Sequence, residues 1–351
     1  MKAAVMKDIG QIVVEEVPNP KPEPGGLIIE VRACAICGSD VRTFFHGSAH
    51  VQPPRILGHE VAGIIREIGP GLSDYSVGEA VTVAPAIGCG TCEYCRMGAT
   101  NMCPKLETIG FEFDGGFAEF MAVPAKAVRQ GHVNRIPPGL SFAEATLAEP
   151  LACCVNGQSF LNIGLGHTVA IIGAGVIGLF HAELAFLKGA SAVFLVDVVP
   201  ERLAYAKSLR ENIITINAKE TDPVQEVLAQ TGGRGVDVAI VACPVGEAQN
   251  QALQMVARRG RVSLFGGLPQ GKSTGYIDSN LIHYKEVGVF GAHASTALQN
   301  RLALKILAEK KIIPEKYITH IYPLSQILEG ITMVREGKAL KAIITPSGGD
   351  V

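Results

Sequence analysis

The hexapeptide Gly173-Ala174-Gly175-Val176-Ile177-Gly178 restricts the fold more than any other stretch, because of what flanks it. It follows the apolar run VAII and opens the helix-like segment GVIGLFHAELAFLKG. In a strand–turn–helix context the first glycine permits a tight turn and the second lets the backbone approach a pyrophosphate. The third lets the helix pack on the strand. The helix N-terminus then offers free N–H groups to phosphate oxygens. The next apolar run, VFLVD, ends in Asp197, nineteen residues beyond Gly178. A carboxylate there accepts hydrogen bonds from ribose hydroxyls and repels a 2′-phosphate. Val198 and Val199 supply no cation behind it, so NAD is expected over NADP; a glycine turn used only for packing is the alternative reading.

The same region repeats the alternation. Apolar runs VAII, VFLVD, IITI, VDVAIVA, RVSLFG and KEVGVFGA are separated by segments with helical patterning, among them PERLAYAKSLR, DPVQEVLAQTG and GEAQNQALQMVARRG. Strands buried on both faces and joined by crossover helices make a doubly wound parallel sheet, an α/β Rossmann domain. We assign it to residues 154–290. Residues 1–153 read differently: short β-rich runs (VVEEV, LIIEVRACAI, VAGIIREIG, EAVTVAPAI) lie between Pro and Gly clusters such as PNPKPEPGG. That texture predicts an irregular, mostly antiparallel β domain. Residues 291–351 carry two further helices, QNRLALKILAEKK and ILEGITMVREGK, and a closing strand, KAIITP.

Composition narrows the function. With 351 residues, 48% of them hydrophobic, the chain can build two cores. Lys and Arg number 31 against 33 Asp and Glu, with no basic run, so the electrostatic footprint of a nucleic-acid binder is missing. Residues 169–187 have the length of a membrane span, but their three glycines, His181 and Glu183 favour a buried strand, turn and helix. The N-terminus carries Asp8 and Glu15 without a long apolar stretch, which predicts strands rather than a signal peptide and hence a cytoplasmic location.

Of nine cysteines, Cys89, Cys92, Cys95 and Cys103 form CxxCxxCx7C within fifteen residues. In a reducing compartment that crowding points to metal rather than disulfides. Four thiolates from one loop suit a closed tetrahedral zinc site, which fixes the loop and leaves no position for substrate. An iron–sulfur centre or redox dithiol is the alternative, although the long last gap departs from the usual iron–sulfur spacing. A second set of candidate ligands is Cys37, His59 and Glu60, in CGSDVRTFFHGSAHVQPPRILGHE, with Glu149 in AEPLACCVNG between the two regions. Three such ligands leave a fourth position open, as catalytic zinc requires.

CGSD, GHE, CxxCxxCx7C, AEPL and GAGVIG, in this order and at these distances, resemble the zinc-containing medium-chain dehydrogenases over essentially the whole chain, and most closely the sorbitol and other polyol dehydrogenases. The resemblance implies a GroES-like catalytic domain, which residues 291–351 complete, beside the NAD-binding domain, with the active site in the cleft between them. It implies one catalytic zinc held by Cys37, His59 and Glu60, with Glu149 reaching the metal directly or through water, and one structural zinc. The implied reaction passes hydride from a zinc-acidified secondary hydroxyl of a polyol or sugar derivative to NAD; a threonine or simple alcohol dehydrogenase, or a nucleotide-binding scaffold that has lost the chemistry, is the alternative. Arg202 is expected near the adenosine, a solvated charge on its helix being the alternative, and Phe265, Gly266, Phe290 and Gly291 beside the nicotinamide half. A small hydroxylated substrate and a homodimer or homotetramer, paired through the edge strand near 287–291, complete the picture.

Three residues bear on proton transfer and substrate. Ser39 matches the Ser/Thr that hydrogen-bonds the substrate hydroxyl, although a serine there also suits a turn. Arg42 stands where many relatives continue the proton relay with a histidine. Arginine stays protonated and is no base, so Arg42 is expected either to contact an acidic or polyhydroxylated substrate or to face solvent or cofactor phosphate. Sorbitol dehydrogenases place Arg-Tyr after the residue matching Phe290; this chain has Gly291-Ala292-His293, which puts sorbitol itself in doubt. His293 is expected to face substrate or to cap the next helix.

Overall fold

The computed structural model describes residues 1–269, 271, 273–275 and 277–348. The chain forms two compact units, residues 1–152 with 294–351, and residues 153–293.

In the second unit six strands pair in one parallel sheet: Thr168–Ile172, Ala192–Asp197, Ile213–Asn217, Val236–Val241, Val256–Leu264 and Gly288–Gly291. Their order across the sheet is third, second, first, fourth, fifth, sixth. The central strands are buried on both faces, which is why they read as unbroken apolar runs. One face carries Ala170, Ile172, Phe194, Val196, Ala239 and Val241 into a single core. The helix expected over GEAQNQALQMVARRG ends at Met255; Val256 already pairs with Val236 in the sheet. A β-branched residue at a position that completes a buried ladder outweighs the helical pattern around it, and Arg259, with φ 60°, then turns the backbone.

In the first unit the main sheet runs Val133–Arg135, Ala80–Val83, Glu60–Ile68, Leu27–Ala35, Ala342–Thr345, His320–Pro323, and Phe120–Val123 also pairs with Leu27–Ala35. Every pair is antiparallel except the last two strands of that path, which are parallel. Strand Leu27–Ala35 is the hinge of the arrangement. Its last residue, Ala35, lies opposite Glu60 on one side and Ile343 on the other, so the two ends of the chain meet across it. The two C-terminal helices form at Ala297–Ala308 and Ile327–Arg335. Among the described residues no helix is long and apolar enough to cross a membrane.

Candidate active site

Cys37 is the N-cap of helix Gly38–His46. Three residues on, Asp40 turns back to accept the Cys37 backbone N–H at Oδ2 (2.9 Å), the reciprocal contact that fixes a helix start. Gly58 has φ 93°, and a Cβ there would lie 2.7 Å from the Cys34 sulfur and 2.9 Å from Phe117. Only glycine fits this turn, which delivers His59 and Glu60 to the same place. One ligand atom from each of Cys37, His59 and Glu60 lies within 4.8 Å of the others.

The surroundings orient each group. Asp40 Oδ1 lies 3.3 Å from His59 Nδ1, leaving Nε2 to face Ser39 Oγ at 3.5 Å. A carboxylate behind one ring nitrogen fixes the tautomer and makes the other a better ligand. Burial favours the neutral ring, yet Asp40 and Cys37 hold the His59 pKa well above its ordinary value. Burial pushes Glu60 up to about 7, and Glu149 adds to this, while Lys341 opposes it. Lys341 Nζ lies 2.6 Å from Oε1 and 2.5 Å from Oε2 of Glu60. Lys341 is 3% exposed and Glu60 wholly buried. Against burial, Glu60 keeps the lysine charged. Glu149, 8% exposed near the start of helix Ala148–Ser159, is felt electrostatically by both. A thiol, an imidazole and a carboxylate converging on one point, with a second carboxylate acting on it, fit a zinc ion with an open position.

The four-cysteine loop is built otherwise. Its sulfurs also converge within 4.8 Å, and Cys92 Sγ to Cys103 Sγ is 3.8 Å, close to the edge of a tetrahedron with Zn–S bonds of about 2.3 Å. Backbone N–H groups of Cys89 and Lys105 point at the Cys103 sulfur, and those of Thr91 and Cys92 at Cys89. Hydrogen bonds from the Thr91 side chain and backbone, then from Cys92, lower the Cys89 thiol to about 5. Burial pushes the Cys95 thiol the other way, up to about 12. The donors thus prepare Cys89 as a thiolate, whereas Cys95 would need a bound cation to lose its proton; four sulfurs would close the coordination.

In the second unit Gly173 (φ 112°) ends the first strand, and a Cβ at Gly178 would sit 1.8 Å from the Gly173 carbonyl. A Cβ at Gly175 meets nothing within 4 Å. There, before the half-buried Val176 and Ile177, the helix turns its free N–H groups to open space. Asp197 Oδ2 accepts from Ala174 N at 2.7 Å, and Oδ1 from the N–H groups of Val198 and Val199 at 2.7 and 2.9 Å. Of roughly four acceptor sites on a carboxylate, one therefore holds the glycine turn and two hold the backbone that follows Asp197 itself. Arg202 stands 3.8 Å from Oδ2. These residues fit a dinucleotide: an N–H cradle, a cleared glycine and an acid beside it.

Residues 23–133 match the alcohol dehydrogenase GroES-like domain and residues 176–309 the zinc-binding dehydrogenase domain. An L-threonine 3-dehydrogenase of Pyrococcus horikoshii is 36% identical over 93% of each chain. The chain belongs to the zinc-containing medium-chain dehydrogenases. A sorbitol dehydrogenase of Bacillus subtilis is 32% identical over 99% of this chain and 98% of that one. A zinc-binding dehydrogenase of Sinorhizobium meliloti, solved with NADP, superposes with a TM-score of 0.90 at 34% identity, over 98% of this chain and 99% of that one. This dehydrogenase is thus a zinc-binding oxidoreductase of small molecules with a nicotinamide cofactor.

Other expected residues lie as follows. Gly266, whose Cβ would meet the Cys243 carbonyl at 2.4 Å, and Gly291 lie at the carboxyl ends of the fifth and sixth strands. Phe265 packs edge-on against His181, and Phe290 stacks on Phe160, so both rings are engaged within the unit. The helix at Ala297 is capped by Thr296 in a reciprocal pair with Gln299, which removes the capping role expected of His293. Sequence reasoning missed Asp40 and Lys341. Asp40 carried a signal, the polar residue three positions past a helix-starting cysteine; Lys341 carried none, being 281 residues from its partner.

Proposed function

We propose that this dehydrogenase oxidises a secondary hydroxyl of a polyol or sugar derivative and passes hydride to NAD⁺. The convergence of Cys37, His59 and Glu60 within 4.8 Å, with a serine hydroxyl 3.5 Å from the histidine, carries the reading. Cys37, His59 and Glu60 would hold the catalytic zinc, with Glu149 beside it. Bound there, zinc supplies the Lewis acidity that lowers the pKa of a substrate hydroxyl. Asp40 holds His59 in its working orientation and Lys341 balances the charge of Glu60. Ser39 positions the substrate hydroxyl and receives its proton, which leaves through water or Glu149, since the arginine at position 42 is no acceptor.

NAD⁺ accepts the hydride. The glycine turn binds its diphosphate through the backbone of Gly175, Val176 and Ile177, and the negative charge of Asp197 disfavours a 2′-phosphate. L-Threonine, whose 3-hydroxyl is also secondary, is the second reading, favoured by the Pyrococcus relative. Assembly into a homodimer or homotetramer through the edge strand Gly288–Gly291 belongs to the same reading, and a sizing column tests it. The test of activity is reduced-cofactor absorbance with polyols, aldonates, sugar phosphates and L-threonine, each with NAD⁺ and NADP⁺. Turnover of a polyol or its derivative with NAD⁺ preferred supports the reading. Turnover of threonine alone establishes the second.

A further inference from the structure

We propose that Arg42 grips an oxyanion of the substrate, so that this enzyme prefers a hydroxylated acid or sugar phosphate to a neutral polyol. This rests on the dehydrogenase reading above and names the substrate class within it.

Helix Gly38–His46 buries Asp40, Val41, Thr43 and Phe44 in the unit. Ser39, Arg42 and His46, spaced i, i+3 and i+7, share the opposite face. Ser39 is half-buried beside His59, and Arg42 and His46 are exposed. Arg42 thus projects from the turn next to Ser39, about 4.5 Å further along the axis. Several other arginines of the first unit are paired, among them Arg55 with Asp114, Arg66 with Glu30 and Arg135 with Glu79. Among the described residues Arg42 has no hydrogen-bond or ion-pair partner. A guanidinium with unused donors is commonplace on open surface; here it lies on the helix whose cap is a candidate zinc ligand and on the face of the serine that positions the hydroxyl.

A substrate anion is the partner proposed, rather than a cofactor one. The cofactor's diphosphate already has a dedicated cradle at the glycine turn in the other unit. An anion a few bonds from the reacting hydroxyl would come one helical turn away from Ser39. The planar guanidinium fork meets carboxylate and phosphate with two parallel hydrogen bonds, and its weak hydration makes it the better cation to desolvate there.

The experiment compares kcat/KM for a hexitol, its 1-phosphate, the matching aldonate and L-threonine, at saturating NAD⁺, in the zinc-loaded enzyme and in Arg42→Ala and Arg42→Lys. Folding and zinc content are verified for each. Charge-assisted hydrogen bonds predict that wild type favours the anionic substrates by about 10–100-fold, and that Arg42→Ala loses this preference through KM for the anion. Arg42→Lys restores part, and added guanidinium ion rescues the alanine variant. The anion whose KM moves most identifies phosphate or carboxylate. An unchanged substrate ranking in Arg42→Ala overturns the proposal, as does a rise confined to KM for NAD⁺ in a second series that varies NAD⁺ at fixed substrate. If no hydroxyl compound is oxidised while zinc and NADH still bind, the dehydrogenase reading itself fails, a result distinct from an unchanged ranking.

Discussion

The two cysteine-bearing sites of the first unit differ in how the chain reaches them. The four-cysteine loop draws its ligands from residues 89–103 and surrounds its centre with sulfur and backbone N–H groups. The Cys37 site draws on residues 37, 59 and 60, and its partners extend to Lys341. The loop's cysteines are mostly half-buried, whereas His59, Glu60, Asp40 and Lys341 are all buried. In the proposed reading, a closed set of four soft ligands serves shape, and a mixed set with an open position, held by buried charges on strands and a helix, serves chemistry.

The sharpest way to break this contrast is to exchange defects between the sites. Cys37→Ser is expected to lower kcat/KM by about a thousandfold or more, since Lewis-acid assistance supplies several kcal/mol, with little change in Tm. Cys92→Ser is expected to do the reverse, lowering Tm by about 5 °C or more while the folded fraction keeps most of its turnover. Equal losses of activity from both would erase the distinction.

Lys341 tests the claim that buried charge builds the active site. In the metal-free protein Lys341→Met leaves Glu60 uncompensated and should cost about 3–5 kcal/mol in denaturant unfolding, most of it recovered in the double variant with Glu60→Gln. A loss below about 1 kcal/mol would mean that the pair is not held as drawn. Asp40→Asn removes the charge behind His59 and should weaken metal affinity or activity by about 10–100-fold. The loop's own support is the smallest effect: Thr91→Ala deletes one hydrogen bond to Cys89 and should change zinc retention by about fivefold or less, read by competition with a chelator.

The same contrast explains what was legible in the sequence. The cysteine loop and the glycine turn are each local, so spacing alone carries them, and the parallel strands announce themselves as apolar runs because both faces are buried. The Cys37 site was visible in part, through Cys37 and the glycine before His59. Its support was not: no local pattern tells that a lysine next to a C-terminal strand is buried, because that depends on Ala35 pairing with both Glu60 and Ile343. The end of the helix at Met255 was hidden for a like reason, since the sheet claims Val256. Asp197 shows a subtler limit. Its position marked it for the ribose, while it also accepts from Ala174 in the glycine turn and from Val198 and Val199 after it.

The central claim is that the Cys37, His59 and Glu60 set holds the zinc on which hydride transfer depends. It is tested most directly by measuring zinc and cofactor reduction together while a chelator removes metal in steps. The account predicts about two zinc per chain at the start, activity falling in proportion to loss of the first, and its return on adding zinc. Full turnover in a protein stripped of both ions would contradict it.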